Sequence, residues 1–239
     1  MDQIERTKQF FNKPLPGTPR KIASPVDVHV FESICKLLPR GSDQEFAVDL
    51  GCHWGRYTKR LAESYGRVVG IDFAAEAIAT AAAGPNIRYL ALDLERDGLA
   101  LERKVDFFLA VGLFEMLKTP GLVAEKMGKH SSSGGGALIV MPNKRHLNFI
   151  FLRFVLWIAR NLLRRKEVYI YHNGITPEQL LRPLLDAGYE FIDGGSIVGM
   201  PPSVVARLPG PVQKLLLKRD RLATVVFGGA YHWLYLRKQ

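Results

Sequence analysis

Cysteine is nearly absent from this chain: Cys35 and Cys52 are the only two among 239 residues. Two thiols cannot build a disulfide framework, and no C-x-x-C pair occurs. Histidine is also sparse, with six in all. Neither H-E-x-x-H nor another spaced ligand cluster is present, so no metal site is expected. No glycine turn continues into Gly-Lys-Ser/Thr, which excludes a P-loop. The opening residues, Met1-Asp-Gln-Ile-Glu-Arg-Thr-Lys-Gln9, lack the basic-then-apolar layout of a secretory leader. A reduced, cytoplasmic setting is therefore the simplest expectation. The aromatic–basic interleaving of an RNA-recognition module is missing too, so nucleic acid is not the expected partner.

What remains is an ordinary soluble composition, 47% apolar and 23% charged, at a length that defaults to one domain with a substantial core. The charge is unevenly distributed. Residues 143–239 carry 15 Lys/Arg against 6 Asp/Glu, whereas residues 1–142 carry 18 against 17. Nearly all of the net +10 thus sits in the C-terminal part. A basic surface attracts phosphates, anionic lipid or nucleic acid, or serves only solubility, and charge alone does not choose among them.

The most informative stretch is Phe46-Ala-Val-Asp-Leu-Gly-Cys-His-Trp-Gly-Arg-Tyr-Thr58, followed by Arg67-Val-Val-Gly-Ile-Asp72. It reads as strand, glycine turn, helix, strand. Gly51 and Gly55 leave room for close backbone approach to a ligand, and the helix opening near Tyr57 presents free N–H groups. Asp72, 21 residues past Gly51, ends the second apolar run, where an acid can accept both hydroxyls of a ribose. The spacing Gly51-x-x-x-Gly55, with His53 in the middle, is not the G-x-G-x-x-G of a dinucleotide turn.

Asp49, Gly51 and Gly55 match the first motif of class I S-adenosylmethionine-dependent methyltransferases, Asp-x-Gly-x-Gly-x-Gly, and the chain is similar to that family well beyond it. His53 and Trp54 depart from the commonest form. Asn86-Ile-Arg-Tyr-Leu-Ala91 is a third strand followed by Asp93-Leu94, and Val105–Gly112 a fourth followed by Leu113-Phe-Glu-Met-Leu-Lys-Thr-Pro120. Gly134–Pro142 reads as a glycine turn and fifth strand, and Ile175–Phe191 as a helix and sixth strand. The resemblance covers residues 45–193, and the C-terminal residues fit more loosely. It implies an α/β fold: a Rossmann-like, doubly wound, seven-stranded sheet, mostly parallel with the last strand antiparallel and helices on both faces. It also implies S-adenosylmethionine as cofactor, held by Asp49, Gly51, Cys52, His53 and Gly55 in the turn, by Asp72 and Phe73 after the second strand, by Asp93 and Leu94 after the third (Asp93 on the adenine amino group), and by Val111 at the end of the fourth. Glu115 matches the usual Glu of a Glu-His pair, with Met116 in place of the His.

The rest of the chain is read as one domain, 1–239, with an N-terminal arm over 1–24 and a helical insertion or lid over 143–172. Val26–Pro39 has apolar residues at helical spacing and stops at proline. Ser131-Ser-Ser-Gly-Gly-Gly136 reads as a turn between helix and strand. Within the insertion, Phe149–Leu163 is almost wholly apolar, with Arg153, Arg160 and Arg164 as a narrow polar stripe. A helix of that length reaches roughly 22 Å, short of the roughly 30 Å hydrocarbon core. Three burials are open to it: a lid on its own domain, a membrane interface with Arg164-Arg-Lys166 on anionic headgroups, or a homodimer contact. The first two favour a lipophilic acceptor. Farther on, Pro209–Leu222 reads as a basic amphipathic helix and Ala223–Arg237 as an antiparallel strand.

Methyl transfer from a sulfonium is an in-line displacement, so the protein contributes mainly position and exclusion of water, with a base needed only if the acceptor must lose a proton. His146, after the fifth strand, and His172, before the closing helix, are candidate bases, and Glu115 a candidate orienting group. His29, His130 and His232 read as structural or exposed. The Asn/Asp-Pro-Pro-Tyr/Phe pattern of amino-directed nucleic-acid methyltransferases is absent. The expected reaction is methylation of a small, lipophilic acceptor on oxygen, carbon or nitrogen. An RNA methyltransferase and a catalytically silent cofactor-binding protein of the same fold are the alternatives.

Overall fold

A computed structural model of the chain describes residues 24–81, 83–147, 150 and 174–239. The N-terminal arm up to residue 23, His172, and the apolar run apart from Leu147 and Ile150 lie outside the described residues.

Each apolar run of the first half forms a strand: β1 (Phe46–Leu50), β2 (Arg67–Asp72), β3 (Ile87–Ala91) and β4 (Val105–Val111). With β5 (Ser131–Pro142), β6 (Tyr189–Ile197) and β7 (Tyr231–Lys238) they make one seven-stranded sheet in the order β3-β2-β1-β4-β5-β7-β6. The first five strands pair in parallel, and β7 is antiparallel to both neighbours, as the family resemblance implied.

Strands in such a sheet are covered on both faces, which is why β1 reads as continuously apolar apart from Asp49. On one face Val48, Leu50, Phe108 and Ala110 pack with α4 (Pro120–His130) and α5 (Pro177–Asp186) through Val123, Met127, Leu180 and Leu184. On the other, Ala47, Phe107 and Leu109 pack with Ile34 of α1 (Pro25–Cys35) and Leu61 of α2 (Arg56–Leu61). Ser24 caps α1, accepting the Asp27 N–H at 3.2 Å. Thr176 and Gln179 form a reciprocal capping box on α5. A short α3 (Ala75–Ala79) follows β2. The helices α6 (Pro202–Val205), α7 (Gly210–Leu217) and α8 (Asp220–Phe227) fill the connection from β6 to β7.

Two expectations are corrected. Ser131–Gly136 is not a turn: α4 ends at His130 and β5 opens at once. Val105 pairs with Ser131 but Phe107 with Gly136, so the extra residues are absorbed as an irregularity inside the ladder. Ser132 Oγ bonds Asp106 Oδ1 at 2.8 Å across it. Ala223–Phe227 is helix, not strand, despite two adjacent valines. Tertiary anchoring overrides β propensity here: Asp220 accepts Met200 N–H at 2.7 Å and lies 2.9 Å from His29 Nε2. The helix stops at Gly228, φ +72°. The strand begins only at Tyr231.

The strand order reverses between β1 and β4, and ligand crevices of open α/β sheets lie at such a switch point. There the turn after β1 meets the segment after β4: a Cβ on Gly51 would stand 3.3 Å from Leu113.

Candidate active site

The turn after β1 is held by two carboxylates. Asp49 is buried within β1 and accepts the Thr58 hydroxyl of α2 at 2.6 Å. Burial pushes its carboxyl up to about 7, opposed by the Thr58 bond and reinforced by nearby Asp72. Asp72 ends β2. Its Oδ2 accepts His53 N–H at 2.8 Å and its Oδ1 accepts Ala74 N–H at 2.9 Å. The Gly51 and Cys52 amides both donate to Ile71 O, at 2.8 and 3.1 Å. The loop is thus fastened to the end of β2 before any ligand arrives. Its backbone is left-handed at Gly51 (φ +74°), His53 (φ +50°) and Gly55 (φ +79°), a run that glycine makes accessible.

The two glycines do different work. A Cβ on Gly55 would overlap the Tyr89 hydroxyl, so Gly55 makes room for a tyrosine of β3 rather than for a ligand alone. Tyr89 also lies over Gly70, whose Cβ would come within 2.7 Å of its ring. Burial pushes its phenol up to about 12. Cys52 is buried, and burial raises its thiol well above the ordinary range, so it packs as a small apolar group. The His53 ring lies against Trp54, centroids 4.6 Å apart. Phe73 follows Asp72 half-buried. Asp93 lies two residues past β3 and accepts Glu95 N–H at 3.1 Å. Leu94 is buried in the first core cluster, and Val111, the last residue of β4, packs against the second. The cofactor residues read from sequence therefore gather at the carboxyl ends of β1 to β4.

A second buried acid lies past β4. Glu115, in a 3₁₀ turn over Phe114–Met116, is 3% exposed, and its Oε2 has no hydrogen-bond partner among the described residues. Burial pushes its carboxyl up to about 7, and the Lys144 ammonium partly offsets this. Lys144 is itself lowered by burial and held back up by Glu115. The phenol of Tyr231 is raised by burial and by the same carboxylate. Tyr231 opens β7, paired with Pro142 of β5 and Ile197 of β6, which puts it at the same end of the sheet. Lys144 is positioned by Asn143, whose N–H and Nδ2 donate to Ala230 O and Gly229 O, both at 2.8 Å.

His146 is buried, with Nε2 3.0 Å from Gly199 O. A carbonyl only accepts, so Nε2 carries the proton and ties the loop after β5 to the loop after β6. His172 lies outside the described residues. His130 Nδ1 is 2.8 Å from Lys126 O at the end of α4. Burial lowers His232, opposed by Glu178. Among the described residues no group of His, Cys, Asp and Glu could hold a metal ion.

The residues fit an adenosine-bearing cofactor. A carboxylate offers about four lone-pair sites, and the two backbone bonds to Asp72 leave two while fixing its direction. The sequence reading missed Thr58, Tyr89, Lys144 and Tyr231. Thr58 alone had a local signal, a hydroxyl in the first turn of the helix after the motif. The other three are brought in by pairing across the sheet.

Residues 47–135 match the model of the methyltransferase domain family. No curated relative matches the chain in sequence. Among solved structures, an S-adenosylmethionine-dependent methyltransferase from Mesorhizobium loti superposes with a TM-score of 0.62 at 15% identity, over 91% of this chain and 100% of its own. The N-methyltransferase NodS of Bradyrhizobium japonicum, in complex with S-adenosyl-L-homocysteine, gives 0.62 at 13%, over 98% of each chain. The geranyl diphosphate C-methyltransferase of Streptomyces coelicolor gives 0.63 at 12%, over 100% of this chain and 98% of its own. At these identities the superpositions speak for the fold alone. Residues 47–135 are thus a methyltransferase domain, and the ordered motif at the switch point supports the class I type, whose cofactor is S-adenosylmethionine.

Proposed function

We propose that the chain transfers a methyl group from S-adenosylmethionine to a small, lipophilic acceptor. The observation that carries this reading is the pre-oriented Asp72 carboxylate beside the left-handed Gly51 turn. In this reading Asp72 accepts the ribose hydroxyls. The turn Asp49–Gly55, with Cys52 and His53, lines the amino-acid end, and Phe73, Asp93, Leu94 and Val111 line the adenine side and the floor. The bound cofactor supplies an electrophilic methyl group and a neutral leaving group.

The acceptor lies on the Glu115 side. Tyr57, Val111, Ile197 and Tyr231, half-buried around the second core cluster, wall it off from water. Glu115 Oε2 accepts a hydrogen bond from the acceptor and takes its proton where it has one to lose. Support for a lipophilic acceptor comes from the apolar run at 149–163. His146 is better suited to holding the loop than to proton transfer, because its Nε2 proton is committed to Gly199 O. The chain is read as one methyltransferase domain, with 1–24 as an arm and 143–172 as the insertion.

Calorimetry with S-adenosyl-L-homocysteine tests the cofactor half. Asp72→Ala should weaken binding by about 1.5–3 kcal/mol, the range of a charge-assisted hydrogen bond. Unchanged affinity removes Asp72 from the site. Radiolabelled S-adenosylmethionine incubated with lipid and RNA fractions of a cell extract tests the acceptor half. Label in RNA, lost steeply with salt, favours the RNA alternative, and binding without turnover on any fraction favours the silent one.

A further inference from the structure

Helix α8 turns its acid inward and an aliphatic face outward. Its acid, Asp220, is buried against His29 and the Met200 amide. Its aliphatic side chains face solvent instead: Leu222 is 62% exposed, Val225 79% and Val226 61%. These three stand at i, i+3 and i+4, hence on one helix face. Leu215, on α7 just upstream, is 63% exposed. Isolated exposed aliphatics are ordinary, but a helix face made of them marks a contact surface.

The loop after β5 is tied to the connection that packs under this helix. His146 is fastened to Gly199 O, and a Cβ on Gly199 would overlap the backbone of Ala223 and Thr224 in α8. The next outward residues, Leu147 and Ile150, are 51% and 55% exposed.

Charge identifies the occupant. From Gly194 to the C-terminus the chain carries seven Lys/Arg and a single acid, Asp220, which is turned inward. Lys214 on α7, Lys218 and Arg219 in the link, and Arg221 on α8 are exposed, and no ion pair joins them among the described residues. Exposed aliphatics beside unneutralised cations suit a surface with anionic headgroups over hydrocarbon. RNA would reward the cations and aromatic platforms but not valines. Among the described residues no helix is long and apolar enough to cross a membrane, so contact with lipid would be peripheral.

We propose that the exposed aliphatic face of α8, with the cations on α7, on α8 and between them, docks the protein on the surface of an anionic lipid bilayer. This goes beyond the methyl-transfer reading and does not depend on it. The test is co-sedimentation of the full chain with phosphatidylcholine vesicles with and without phosphatidylserine. Wild type should bind only the anionic vesicles. The Leu222→Gln, Val225→Gln, Val226→Gln triple should lose binding by tenfold or more. Replacing Lys218, Arg219 and Arg221 with Gln should lose it about a hundred-fold, roughly fivefold per charge, and raising salt should mimic that loss. All six positions are exposed, so these changes leave the fold intact, which circular dichroism checks. Absence of wild-type binding to anionic vesicles overturns the proposal, as does binding unaffected by the apolar triple. A dimer by light scattering that the apolar triple converts to monomer, without vesicle binding, reassigns the face to a second copy. Binding to single-stranded RNA that the cation triple abolishes and the apolar triple spares reassigns it to nucleic acid.

Discussion

Asp49 and Glu115 stand at the ends of neighbouring strands, one within β1 and the other just past β4. Both are buried, and burial pushes both carboxyls up to about 7. Their partners differ. Asp49 accepts the Thr58 hydroxyl and sits in a turn whose every fastening is internal: His53 N–H to Asp72, Gly51 and Cys52 N–H to Ile71 O. Glu115 has an oxygen with no partner among the described residues. A buried polar atom without a hydrogen bond costs stability, and such a cost is concentrated where a ligand is to supply the missing bond. Among the described residues the β1 side is therefore a finished framework, and in the proposed reading the β4 side is completed by the acceptor.

The sharpest way to break this comparison is to disturb the framework itself. Gly55→Val puts a branched side chain at φ +79° and against the Tyr89 hydroxyl. Left-handed strain and overpacking together should cost roughly 3–5 kcal/mol, read as a drop in the denaturation midpoint. Adding Tyr89→Ala should recover part of the loss. No recovery would mean that Tyr89 is not what Gly55 accommodates.

On the unfinished side the expected loss is in turnover. Glu115→Gln keeps the shape and removes the proposed base. If the acceptor gives up a proton to Glu115, methyl transfer should fall by about 10²-fold or more, with cofactor affinity unchanged. The substitution should also stabilise the free protein at alkaline pH, since a neutral amide replaces a buried charge. A variant equally active, with unaltered stability, would place Glu115 outside the reaction.

The pH dependence of stability follows from the same pair. Both carboxyls titrate higher in the folded chain, at about 7 against ordinary values of 3.8 and 4.5. The folded state then binds more protons than the unfolded one across that interval, so these groups make stability fall as pH rises from about 4 to about 7. Asp49→Asn and Glu115→Gln should each flatten that fall. Thr58→Val removes the bond that opposes Asp49 protonation. It should cost about 1–3 kcal/mol and steepen the slope. Urea denaturation midpoints at a series of pH values would measure all three.

How much of this was legible in sequence follows the same division. The framework is written locally: Asp49, Gly51, Gly55 and Asp72 are read from two adjacent apolar runs, and the structure gathers them where the βαβ rhythm put them. The unfinished side is written non-locally. Lys144 and Tyr231 are 87 residues apart in sequence, and only the pairing of β5 with both β4 and β7 brings them to Glu115. Nothing in periodicity announces that pairing. The two misread segments share a cause. Ser131–Gly136 looked like a turn because glycine and serine usually break structure, yet here they fill an irregular ladder. Val225 and Val226 looked like strand because β-branched residues usually are, yet a buried Asp220 holds them helical. His146 was read from its position after β5 as a base, and only the Gly199 carbonyl reveals its tether.

The mildest test of the comparison is Lys144→Gln. Among the described residues the Lys144 ammonium is the cation that offsets the burial of Glu115, but Lys144 is only partly enclosed, so water screens the interaction. Its removal should shift the Glu115 titration further upward and move the acid limb of the methyl-transfer pH profile to higher pH. The rate at neutral pH should fall only two- to fivefold, roughly the yield of a screened charge pair. Cofactor affinity and the stability contributed by Asp49 and Thr58 should not change, because Lys144 touches neither. A pH profile that stays put while cofactor affinity falls would mean that Lys144 serves the β1 side, and the two regions would then be one site rather than a framework and a gap.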